Sequence, residues 1–274
     1  MAKAEARLEQ HSPEHWQYLK GLKQRHILVQ ALRLLLLVAL MGLWELSARL
    51  GWIDAFIFSS PSRAVTLLAG MFADGSIWQH LGMTLLETVI GFSLGTLLGL
   101  GAAVLLWCSE LAQRVSDPYL VILNSLPKIA LGPVIIVWVG AGMSSIVVVT
   151  LLISIVVTII GVLNGFMEVD QEKILLLRTF GANRKQIFTR VVFPASLPTI
   201  ISVLKINVGM SWVGVIVGEF LVSRAGLGYL IVYGGQVFKM DLVMGSVLLL
   251  SILAAGMYYL VAIAEAFINK RLGE

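Results

Sequence analysis

Four polar side chains interrupt stretches that are otherwise apolar: Asn124, Lys128, Asn207 and Glu219. Polar and charged groups are costly to bury among hydrocarbon, so such side chains face a wet interior or one another. Lys128 has the most direct chemical use. A partly desolvated ammonium attracts a passing anion more strongly than one in bulk water. The same lysine also reads as one that snorkels to an interface or pairs with a carboxylate. Glu219 stands between a pathway carboxylate and one that caps a chain end or pairs with Arg224. Lys205, Glu45 and Glu87 fall in apolar runs as well, with Lys205 close enough to an interface to snorkel and Glu87 shallow in its run.

No catalytic constellation emerges from this set. The histidines are His11, His15, His26 and His80, all outside the expected spans; Pro13 separates His11 from His15, and no third metal ligand is near. Cys108 is the single cysteine, which excludes an intrachain disulfide. The phosphate-cradling pattern Gly-x4-Gly-Lys-Ser/Thr is missing, so the chain is not expected to hydrolyse ATP itself. The expectation is a protein that is not an enzyme and binds no metal or cofactor.

The elements that must position these residues follow from composition. The chain is 58% hydrophobic and 13% charged, against about 25% charged in soluble domains, with a mean hydropathy of +0.90. This is an all-α, polytopic membrane protein. Six apolar stretches are each near the ~20 residues that cross a bilayer: 31–50, 83–107, 118–139, 144–166, 197–222 and 244–268. Backbone groups in lipid must be satisfied within the segment, which makes them helices. Gly91, Gly95 and Gly99 recur every fourth residue in the second span, a ridge suited to close helix packing. Asn124, Pro127, Lys128, Gly132 and Pro133 break the third, and broken helices at membrane depth line cavities or lie buried in protein.

Lysine and arginine set the direction of the spans. Fourteen lie in the N-terminal segment, the second-to-third and fourth-to-fifth connections and the tail; Arg49, Arg63, Arg224 and Lys239 lie opposite. Both termini and the fourth-to-fifth connection are therefore expected in the cytoplasm. Residues 1–26 are polar, and no small-x-small cleavage site follows the first span, which is expected to be retained. Residues 1–30 form an N-terminal segment, in which Trp16, Tyr18, Leu19 and Leu22 fit either an interfacial amphipathic helix or a solvated tail. Residues 31–268 form the membrane domain and 269–274 a tail. The net charge of +4 carries no nucleic-acid signal.

One polar stretch, residues 168–198, interrupts the membrane pattern. Glu168, Asp170 and Glu172 precede an apolar body of Ile174, Leu175, Leu176, Leu177 and Phe180. Gly181 ends that half and Asn183 caps a second, whose Ile187, Phe188, Val191 and Val192 oppose Arg184, Lys185 and Arg190. Pro194 and Pro198 mark the expected turn back into the membrane. Topology needs charges here, but not two short amphipathic helices around a glycine. The stretch reads as a docking element for a soluble partner.

This stretch resembles the loop of ABC importer permeases written Glu-Ala-Ala, three residues, Gly, nine residues, Ile-x-Leu-Pro. Gly181 matches the glycine, and Val191, Phe193 and Pro194 match the closing part. Leu175, Leu176 and Leu177 stand at the Glu-Ala-Ala positions, so the family's glutamate is replaced. The runs 124–133 and 218–230 resemble the nitrate, sulfonate and taurine branch, and the likeness covers roughly residues 60–270. The resemblance implies a type I importer permease in the bacterial cytoplasmic membrane, paired with a second copy of itself. Two ABC ATPase subunits carrying ATP and Mg would dock on coupling helices at about 168–194, at Leu175, Leu176, Leu177, Arg178, Gly181, Ala182, Arg184, Val191 and Pro194. An extracytoplasmic solute-binding protein would deliver a small anion such as a sulfonate, taurine or nitrate. A vitamin precursor or amino acid is the alternative cargo; a channel or membrane enzyme is the alternative class.

Overall fold

The computed structural model describes residues 13–272, with side chains described for 21–267 apart from His26. The expectations for His11, His15, Trp16, Tyr18 and Leu19 fall outside the described side chains. Residues up to Ala64 and residues from Val65 onward form two compact units.

In the first unit, α1 (Pro13–Arg49) runs without a break through the first apolar stretch, so the backbone from Pro13 onward belongs to the same helix as the span. None of its described side chains is buried, and Leu34, Leu35 and Leu36 are all more than 60% exposed, as lipid-facing leucines are. Glu45 near its end is not an isolated acid. It accepts from Arg49 Nε at 2.7 Å and from Ser62 N and Oγ at 3.0 and 2.9 Å. The Asp54 carboxylate caps the short α2 (Ala55–Phe58) by accepting from Phe56 N.

The second unit is built on three long helices packed side by side: α4 (Ile77–Trp107), α7 (Met143–Met167) and α10 (Phe193–Val222). α3 (Pro61–Ala73) precedes them. Between α3 and α4, Asp74 accepts from Ser76 N at 2.8 Å, which holds its carboxyl below the usual carboxylate range. Gly91, Gly95 and Gly99 face Thr150, Ser154 and Thr158, and a Cβ on any of the three would collide with the facing side chain. Those hydroxyls donate to the carbonyl four residues back in α7, at 2.8 to 2.9 Å. Their polar atoms are thus satisfied within one helix, and close backbone approach costs no buried hydrogen bond. Gly214 and Gly218 of α10 meet α7 at Thr150 and Ile146 in the same way.

The third apolar stretch is not one straight crossing. α5 (Glu110–Ser125), a 3-10 turn (Lys128–Leu131) and α6 (Gly132–Val139) replace it, with a bend of 84° at the break. Pro127 cannot donate to the ladder and holds Leu126 before it extended, and Pro133 sits in the first turn of α6, so the helix stops and restarts. Among the described residues five other helices are long and apolar enough to cross a membrane, which makes six spans if the bent pair counts as one.

The polar stretch forms α8 (Gln171–Thr179) and α9 (Arg184–Ile187). The expected turn at Pro194 and Pro198 does not occur. A π-helical turn (Phe188–Val192) carries α9 directly into α10. Pro194 follows that π-helical turn, and Pro198 lies inside α10. α11 (Leu227–Gln236) and α12 (Met240–Leu272) complete the chain. Ile77, Leu227, Leu230 and Leu242 pack together there, joined by Leu67, Leu68 and Met71 of α3.

Candidate functional site

The α8–α9 segment is fixed by local chemistry at each of its corners. Asp170 caps α8 by accepting from Glu172 N at 2.9 Å. Gly181 takes φ +78, a left-handed conformation that costs other L-residues roughly 1–2 kcal/mol. Asn183 and Gln186 form a reciprocal capping box on α9, with both hydrogen bonds at 2.8 Å. Ile174, Ile187 and Val192 then turn inward onto Val162 and Phe166 of α7 and Ala103 of α4. Phe188 lies 5.0 Å from Trp107, 5.3 Å from Phe166 and 5.9 Å from Phe193, ring centre to ring centre. Arg184 stacks over Trp107 at 5.6 Å and donates to its carbonyl oxygen at 3.3 Å.

What this leaves outside is informative. Leu175, Leu176 and Phe180 are 61%, 56% and 78% exposed, so the apolar body of α8 divides. Ile174 points in and Leu177 is half-buried, whereas the other three face away. Arg178 is exposed beside them, Ala182, Val191 and Pro194 are half-buried, and a cleft of about 490 Å³ opens between Arg178, Arg184, Trp107, Glu110 and Met167.

The intramembrane positions do not converge on one place. Asn124 is exposed, and Lys128 Nζ donates to the Asn124 backbone oxygen at 3.3 Å, across the break. Asn207 is fully buried, donating from Nδ2 to Thr96 Oγ1 at 2.8 Å. Lys205 forms an ion pair with Glu265 of α12 in place of the expected snorkelling. Glu219 is 1% exposed and is not paired with Arg224. It accepts from Thr84 Oγ1 at 2.6 Å, from Gly228 N at 2.5 Å and from Tyr229 N. Its carboxylate therefore caps the N-terminus of α11 from another helix.

Two residues that sequence reasoning set aside belong to this cluster. Glu87 was expected to be shallow; α4 starts at Ile77, which places Glu87 well inside, fully buried and in hydrogen-bonding position against Glu219. His80 lies within α4 for the same reason, and its Nδ1 accepts from Gly226 N at 3.1 Å. The available signal was a second acid in an apolar run, one span away from Glu219.

Residues 95–274 match the family model described as binding-protein-dependent transport system inner membrane component. The chain belongs to this family. It is 34% identical over 226 residues to a probable ABC transporter permease protein of Haemophilus influenzae, covering 82% of this chain and 91% of that one. It is 28% identical to the putative aliphatic sulfonates transport permease protein SsuC of Escherichia coli, over 79% of this chain and 82% of the relative. The formylaminopyrimidine transport permease protein ThiX of Halalkalibacterium halodurans is 31% identical over 71% of this chain and 77% of its own length. Among solved structures, a chain of the MetNI methionine ABC transporter superposes with a TM-score of 0.61 at 22% identity, covering 72% of this chain and 97% of that one. That likeness establishes the all-α fold, and the family match together with the relatives makes the chain a multi-pass ABC importer permease.

Proposed function

We propose that this permease works as a homodimer in a bacterial cytoplasmic membrane, with both termini and α8–α9 in the cytoplasm. Two ABC ATPase subunits, which hold ATP and Mg, dock on α8–α9, and an extracytoplasmic binding protein delivers a small anion of the sulfonate, taurine or nitrate kind. The observation that carries the reading is the outward face of α8. Leu175, Leu176 and Phe180 stay exposed on a segment whose caps and aromatic anchors hold it rigidly against α4, α7 and α10. Exposed apolar groups on a rigid element are what a protein partner buries. Leu175 stands where related permeases carry a glutamate, so this contact is apolar in place of an ion pair. ATP-driven closure of the partner would push α8–α9 and, through the unbroken passage from α9 into α10, tilt the core. Asn124, Lys128, Asn207 and Glu219 are assigned to the substrate path of the dimer or its supports, with Lys128 the anion-facing group.

The test is co-purification and uptake with the ATPase and binding protein, in a Cys108→Ser background. A cysteine at position 176 is expected to crosslink to the ATPase; failure of every position on this face to do so removes the docking assignment. Maleimide should reach position 185 only from the cytoplasm and position 52 only from outside. A second cargo, a vitamin precursor, is favoured by the 31% identity to the formylaminopyrimidine permease. Uptake of each solute with the cognate binding protein separates the two. Lys128→Met is expected to cut anion uptake while basal ATP hydrolysis persists, and Lys128→Arg to keep part of it; wild-type uptake by the methionine variant would remove the anion role.

A further inference from the structure

The buried acids at the α4–α10 crossing have a use that neither transport nor docking assigns. Glu219 is supplied with donors from three groups: the Thr84 hydroxyl and the N–H groups of Gly228 and Tyr229. Three donors stabilise an ionised carboxylate. Glu87 is in the opposite condition. Both its oxygens are buried, and among the described residues no N–H or hydroxyl donates to either. Among the described residues its polar neighbour is the Glu219 carboxylate. Two ionised carboxylates cannot hydrogen-bond each other, and side by side away from water they repel strongly. Among the described residues no cation forms an ion pair with either acid. The arrangement is satisfied when Glu87 carries a proton and donates it to Glu219.

The pair also holds a loop. Residues 223–226 join α10 to α11, and the N–H groups from there through the first turn of α11 are received in order: Gly226 by His80 Nδ1, Leu227 by Thr84 Oγ1, Gly228 and Tyr229 by Glu219. Gly226 takes φ +122, and a Cβ on it or on Gly228 would strike the Glu219 carboxylate, so these glycines exist to admit the acid. A cavity of about 510 Å³, lined by Gln79, Gly142, Ser223 and Arg224, borders Glu87 without exposing its carboxyl oxygens.

We propose that Glu87 and Glu219 share one proton, and that this protonated pair is a clasp fixing the 223–226 loop and the first turn of α11, so that release of the loop is linked to proton loss. Losing the proton puts two negative charges together and loosens the N-terminus of α11. Three other titratable or charged groups face the pair. His80 accepts through Nδ1, so its protonation would loosen the loop at acid pH, the opposite direction. Tyr229 stacks on His80 at 5.9 Å. Arg224 lies on the cavity wall beside Glu87 and would draw closer to an ionised Glu87 as the loop moves.

The experiment uses the full chain in lipid nanodiscs, with infrared spectroscopy and amide hydrogen exchange. At neutral pH the wild type should show the carbonyl stretch of a protonated carboxylic acid, and Glu87→Gln should lose it. The glutamine variant keeps a neutral donor at the same place. It should keep loop exchange at the wild-type rate and stay protected at alkaline pH, where the wild-type loop opens. Glu87→Leu removes the donor and should raise exchange at 226–229 by roughly tenfold. A wild type without the acid band, or a band that survives in Glu87→Gln, overturns the shared proton. An alkaline opening of the loop that is the same in wild type and Glu87→Gln overturns the linkage.

Discussion

At the end of the core where Trp107, Met167 and Arg184 meet, the polar and charged groups lie on the outside and three large apolar side chains of α8 stay exposed with them. At the opposite end, where Gln79, Met143 and Val222 meet, the order is inverted: Glu219, Thr84 and His80 are turned inward and take up the backbone N–H groups of a loop, with Glu87 buried beside them. The first end is locally self-sufficient. Each corner of α8–α9 is capped by a residue of its own segment. At the second end Ser223 serves only Ala225 N; Gly226 before α11 carries no side chain, and the N–H groups from Gly226 to Gly228 depend on α4 and α10. A segment that caps itself can present an unfilled face to a partner. A loop capped by distant helices is stable only while those helices keep their places, which suits a part that must move.

The comparison breaks most decisively at Glu219. Glu219→Leu leaves the Thr84 hydroxyl and two N–H groups without their acceptor, an expected loss of about 3–5 kcal/mol by the cost of unpartnered buried groups. Thermal unfolding of the purified chain measures it, and a midpoint equal to wild type would show that the loop does not depend on the acid. Gly95→Leu, in the core that joins the two ends, forces a side chain into Ser154; overpacking of this kind costs about 1–3 kcal/mol and should lower the same midpoint. Gly181→Val strains one left-handed position for about 1–2 kcal/mol. It should disturb ATPase stimulation more than unfolding, since the segment is an appendage to the core. Leu175→Ser with Leu176→Ser is the smallest in stability, within about 0.5 kcal/mol as exposed positions are, yet it should abolish retention of the ATPase on the tagged permease. Unchanged retention would mean that the exposed face of α8 is not what the partner buries.

Much of the first end was legible in the residues themselves. Asp170, Gly181 and Asn183 act on backbone within three positions of themselves, so their types and spacing suffice. The same holds for the apolar spans, whose hydrogen bonds close within one helix and whose length the bilayer imposes. The missed turn at Pro194 has a local cause too, but a subtler one. Proline need not end a helix: Pro194 follows a π-helical turn that already departs from the regular ladder, and Pro198 lies within α10.

What the sequence by itself determined is therefore an all-α membrane chain, the place of its polar α8–α9 segment and the break at Pro127. Only the tertiary structure decided which buried polar groups answer one another. Thr84 and Glu219 are 135 positions apart, and Lys205 meets Glu265 across two different helices. The rotation of each helix about its axis selects those partners. That rotation is set by the fit of Gly91, Gly95 and Gly99 against Thr150, Ser154 and Thr158. Helical periodicity shows which residues share a face, but the face each helix meets is fixed only when the helices pack.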